Sequence, residues 1–94
     1  MNVYIVFCDI QENSPNYQKF FEALHSFPGY HQVSDTFWLV ANEKTLNQTY
    51  DKIYRYYTPG DKFFVMVLKE YRGILEANTK EWLAAVLSQS RPQD

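Results

Sequence analysis

The sequence predicts a small α+β domain, and three observations predict it. Two segments, MNVYIVFCDI at residues 1–10 and DKFFVMVLKE at 61–70, are apolar on both alternating faces, which is the pattern of strands covered on two sides. Between them lie two stretches with apolar residues at three- and four-residue spacing, the pattern of amphipathic helices. The chain has 94 residues, 46% hydrophobic and 18% aromatic, enough for one core but not for two domains.

In the first strand Val3, Ile5 and Phe7 share one face and Tyr4, Val6 and Cys8 the other. Ser14 followed by Pro15 gives an N-cap and first-turn signal, and Tyr17, Phe20, Phe21, Leu24 and Phe27 then form a helical stripe that FPGY ends. His31–Ser34 and Phe37–Ala41 read as two short strands around the polar corner SDT. TLNQ offers a threonine cap with glutamine three residues on. Leu46, Tyr50, Ile53, Tyr54 and Tyr57 follow along one stripe, predicting a second helix that stops at TPGD. A fourth strand opposes Phe63, Val65 and Val67 to Phe64, Met66 and Leu68. YRGIL reads as a short strand or turn, and NTKE as a cap for a terminal helix carrying Trp82, Leu83, Val86 and Leu87.

This order, βαββαβ plus a C-terminal strand or helix, is the ferredoxin-like split arrangement: a four-stranded antiparallel sheet with both main helices on one face. Residues 1–88 are read as a single domain and residues 89–94 as a flexible tail. Because the first, third and fourth strands are apolar on both sides, the second sheet face requires a cover. That cover is the terminal helix, a second copy or both, and a homodimer is favoured because one short helix hides only part of such a face.

Nine Lys and Arg against eleven Asp and Glu leave a net charge of −2, with basic residues scattered along the chain. A phosphate-binding patch therefore has to be assembled by folding or by dimerisation. The one cysteine, Cys8, forms no internal disulfide and fits a reducing cytoplasm. The first apolar run is too short for a signal peptide, and no stretch reaches a membrane-spanning length, so no membrane partner is expected. Phosphate-binding loops, dinucleotide fingerprints and Cys/His metal spacings are missing, which argues against nucleotide hydrolysis, hydride transfer and zinc chemistry.

Three segments, YIVFCDI, YQKFFEALHSFPGYHQVSDTFWLV and YTPGDKFFVMVL, together resemble the small CRISPR-associated Cas-two superfamily, and more closely its SinR-like branch. The resemblance covers roughly residues 1–70. It implies a ferredoxin-like homodimer. The wider superfamily includes metal-dependent nucleases, subunits that scaffold DNA during spacer integration, and VapD-type toxins that cut RNA. The family's strand-ending aspartate falls on Asp9, its aromatic–His pair on Tyr30 and His31, and its hairpin Ser and Trp on Ser34 and Trp38. After Asp9, where nuclease and integration members are commonly rich in arginine, this chain reads IQENSPNYQ with no basic residue before Lys19.

Two readings of Asp9 stand side by side. As a metal ligand, two copies meeting near a dimer axis hold Mg²⁺, which orients a phosphodiester and activates water; as a turn residue, Asp9 accepts backbone hydrogen bonds in the loop that follows. His31 is a candidate proton donor to a leaving oxygen, or an edge-strand residue bonded locally, and His25 is placed on the helix surface. Ser34 belongs to the hairpin corner. Tyr50, Tyr54 and Tyr57, with Lys52 and Arg55 between them, either stack bases or fill the core, as their stripe suggests. Lys62 and Arg72, with Lys69 and Lys80, are the candidate nucleic-acid contacts if folding draws them together. The leading expectation is a metal-dependent endonuclease or weak RNA- or DNA-binding protein of prokaryotic or phage defence. Its rival is a non-catalytic dimeric adaptor, inhibitor or toxin–antitoxin partner on the same scaffold, and a small-molecule site in the dimer cleft is a third option.

Overall fold

A computed structural model describes residues 1–90 and, within them, the side chains of residues 1–88. Strands β1 (Asn2–Asp9), β2 (Gly29–Ser34), β3 (Phe37–Asn42) and β4 (Lys62–Leu68) alternate with helices α1 (Tyr17–His25) and α2 (Leu46–Tyr54), and α3 (Ala77–Ser90) follows. The sheet order is β2-β3-β1-β4, with every neighbouring pair antiparallel. The two-sided strand predicted first in the chain is thus interior. The expected tail, residues 89–94, runs into α3 as far as Ser90, and residues 91–94 lie outside the described residues.

Strand alternation divides the apolar residues between two cores. On one face Tyr4, Val6 and Cys8 of β1 and Trp38 and Val40 of β3 meet Phe20 and Leu24 of α1, Phe27 beyond it, and Ile53 of α2. Both main helices pack on this side. On the other face Val3, Leu39 and Ala41 meet Leu83 and Val86 of α3. α3 covers that face only in part: Phe7 stays 49% exposed and Phe64, its partner across β1 and β4, 61% exposed. A Cβ at Gly29 would crowd the Ala41 Cβ of β3 at 3.2 Å, while the Trp82 ring of α3, at 3.5 Å, stands at ordinary van der Waals distance.

The helix starts divide into one match and two corrections. Thr45 and Gln48 form the expected capping box, with the Thr45 hydroxyl accepting from the Gln48 N–H at 3.1 Å and the Gln48 side chain accepting from the Thr45 N–H at 3.0 Å. Ser14, by contrast, does not cap α1, which begins at Tyr17 behind Asn16 without a side-chain cap. Its hydroxyl reaches instead to both carboxylate oxygens of Asp61, at 2.7 and 2.8 Å, and Asp61 also accepts the Gln11 N–H at 3.0 Å. Asn78 lies inside α3 rather than capping it, and YRGIL contributes no strand.

Asp61 owes its place to the segment Thr58–Asp61, where the Asp61 N–H donates to the Thr58 carbonyl at 3.0 Å and Gly60 adopts φ +101°. Pro followed by a positive-φ Gly is the signature of a type II turn. The turn delivers a 5% exposed carboxylate that holds the β1–α1 loop. Replacing Asp61 with Ala leaves the Gln11 and Ser14 donors unmatched, and urea denaturation is expected to show a loss of about 1–3 kcal/mol, with Ser14→Ala losing less.

Candidate functional site

Asp9 closes β1, exposed and in register with Lys62 at the start of β4. Among the described residues no hydrogen bond or ion pair engages its carboxylate. The turn-accepting role read for Asp9 therefore belongs to Asp61, fifty residues from Gln11 in sequence but against the same loop. Asp9 is left facing a cleft of about 860 Å³ between α1 and the ends of β1, β2 and β3.

Four carboxylates border this cleft: Asp9, Glu12 in the loop, Glu22 on α1 and Asp35 in the β2–β3 turn. No Lys or Arg lines it. Its ring-bearing wall comes from Tyr17, Phe21, His25 and Trp38, with the Phe21 ring 5.9 Å and the His25 ring 5.3 Å from that of Trp38. Glu22 accepts from the Gln18 amide at 3.1 Å, one turn away on α1. Such a surface repels phosphate and attracts positive charge. Among the described residues no group of three His, Cys, Asp or Glu side chains converges on a point where a metal ion fits.

The remaining candidates disperse. His31 faces the other side of the sheet, where its Nε2 lies 2.8 Å from the Thr79 hydroxyl of α3 and its ring stacks on Trp82 at 5.8 Å. It pairs with Leu39, which pairs with Ile5, so it lies level with a point four residues up β1 from Asp9, roughly 13 Å along the strand. His31 therefore anchors α3, and the structure does not join it to Asp9. Tyr30 is exposed beside His25, their rings 4.9 Å apart, while Ser34 is exposed at the end of β2. Trp38 is a core residue, 2% exposed, with a buried indole N–H that has no hydrogen-bond partner among the described residues.

Lys62 and Lys69 stand at opposite ends of β4, roughly 23 Å apart. Arg72 is exposed in the segment beyond Lys69, so the cations flanking β4 do not meet. The tyrosine stripe is a further correction. Thr49 and Ile53 are the buried line of α2, whereas Tyr50 and Tyr54 are 38% and 51% exposed. Their rings form a near-parallel series, Phe63 on Tyr50 at 5.1 Å, Tyr50 on Tyr54 at 5.5 Å and Tyr54 on Tyr57 at 5.7 Å. Sequence reading missed Asp61 and the acidic cleft; the TPGD motif and the acids in QENSP and SDT were their visible signals.

No family model, curated protein or solved structure matches the chain.

Burial pushes the Cys8 thiol from 9.0 up to about 11, and the adjacent Asp9 carboxylate adds to the shift. Below pH 9 the thiol is neutral in both folded and unfolded chains. Between about pH 9 and 11 only the unfolded chain loses its proton, so this group's contribution to stability disappears as pH rises through that window. Aromatic disulfide reagents at pH 8 are expected to label the folded protein about 100-fold or more slowly than the urea-unfolded chain.

Proposed function

We propose that the protein is a homodimeric interaction module of ferredoxin-like fold and Cas-two or SinR-like kind, working through protein contacts in the cytoplasm of a prokaryotic or phage system. The order β4-β1-β3-β2 with antiparallel neighbours supports the fold. One observation carries the reading: a sheet face left open beside α3, on which Phe7 and Phe37 stack at 6.3 Å and Phe64 lies across from Phe7. Exposed aromatic surface of this kind marks association sites. The acidic rim around Asp9 favours protein over nucleic-acid partners.

Phe7→Glu and Phe64→Glu test the reading. Each sets a carboxylate where a ring is expected to be covered, and sedimentation at micromolar concentration should show wild-type dimer and a dissociation constant raised at least about ten-fold in either variant. A wild-type monomer overturns the proposal.

A second reading is favoured by one observation, the unengaged carboxylate of Asp9. It makes Asp9, at the exposed end of β1, a Mg²⁺ ligand of an endonuclease acting on RNA or DNA. Cleavage assays on labelled RNA, single-stranded DNA and duplex DNA with Mg²⁺, Mn²⁺ or chelator separate the two. The interaction reading expects no metal-dependent products from wild type and an intact Asp9→Ala dimer; cutting that vanishes in Asp9→Ala selects the nuclease.

A further inference from the structure

The acidic cleft as a whole has a chemistry beyond what either reading takes from it. Its four carboxylates, Asp9, Glu12, Glu22 and Asp35, stand around the rim without converging as the ligands of one ion do. Spaced carboxylates suit a cation whose charge and donors are spread over several atoms. The half-buried rings of Tyr17 and Phe21, 5.1 Å apart, add flat aromatic surface, on which a guanidinium stacks more readily than the compact, strongly hydrated ammonium of lysine. Beneath the cleft lies an independent feature. Trp38 is 2% exposed, lines this cavity, and keeps a buried indole N–H with no partner among the described residues. Leaving such a donor unmatched costs free energy, and an acceptor brought by a ligand removes that cost.

From these features we infer that the cleft binds an arginine side chain, its guanidinium between the rim carboxylates and the aromatic wall and a flanking carbonyl accepting from the Trp38 indole. The other inhabitants are poorer fits. Phosphates are repelled by the rim, and a polyamine offers donors but nothing for Trp38. Glu22 is already oriented for the role by its hydrogen bond from Gln18, which leaves its second oxygen for the ligand. The site lies within one protomer and stands whether or not the protein dimerises.

The test is a titration followed by ¹H–¹⁵N correlation of the two indole N–H resonances, assigned with Trp82→Phe. Trp82 packs under α3 against His31, away from the cleft, and serves as an internal reference. N-acetyl-arginine-amide is expected to shift the Trp38 resonance saturably and leave Trp82 in place. N-acetyl-lysine-amide and spermidine should bind more weakly, and Glu22→Gln should weaken the arginine compound about five-fold, as expected for losing one partly screened charge. Agmatine, which keeps the guanidinium but lacks the carbonyl, distinguishes sources: weaker binding than the acylated arginine points to a polypeptide arginine, and equal binding to a free organic cation. No saturable movement of Trp38 with either guanidinium compound, or affinity unchanged in Glu22→Gln with Trp82 at its native position, overturns the inference.

Discussion

Everything in this fold depends on one strand that is paired along both edges and packed on both faces. β1 hydrogen-bonds to β3 along one edge and β4 along the other, and its alternating residues feed two separate cores. Val6 and Tyr4 belong to the layer under α1 and α2, and Val3 to the layer under α3. A strand so placed fixes the register of both neighbours, because a one-residue slip exchanges every side chain between the two layers. It also fixes where β1 ends, and with it the position of Asp9. The loop beyond is held by the carboxylate of Asp61, the residue that precedes β4, so the central strand and its exit are tied to the same neighbouring segment.

Much of this was legible in the sequence, and for a physical reason. Period-two and period-3.6 patterns report burial directly, so the four strands and the two main helices follow from residues such as Val6, Phe20 and Ile53. The capping box at Thr45 was legible because both of its partners lie within one turn. What the sequence hid were choices settled by distant residues. Ser14 has cap chemistry, yet its hydroxyl is claimed by Asp61, forty-seven residues away. The tyrosines of α2 have stripe spacing, yet the helix turns Thr49 inward and leaves Tyr50 and Tyr54 at the rim. A threonine on the buried line is accommodated because its hydroxyl donates to the Thr45 carbonyl at 2.8 Å.

The candidate site was less legible than the fold. Asp9 was visible as the residue that interrupts an apolar run, but its surroundings were not. Glu12, Glu22 and Asp35 come from a loop, a helix and a hairpin corner, and only the packing of α1 across the strand ends brings them around one space. His31 shows the converse. It has the chemistry of a proton donor, but strand alternation sends it to the opposite face, where the sheet uses it to seat α3.

α3 follows in the chain every strand that it shelters. Until it docks, Val3, Leu39 and Ala41 are as bare as Phe7 and Phe64, and the open face is at its largest in a chain whose sheet has already formed. A helix joined by a short segment is present at high effective concentration and competes with any intermolecular occupant of that surface. The reach of α3 thus sets how much of the sheet stays uncovered. The His31–Thr79 hydrogen bond and the stacking of His31 on Trp82 seat the helix there.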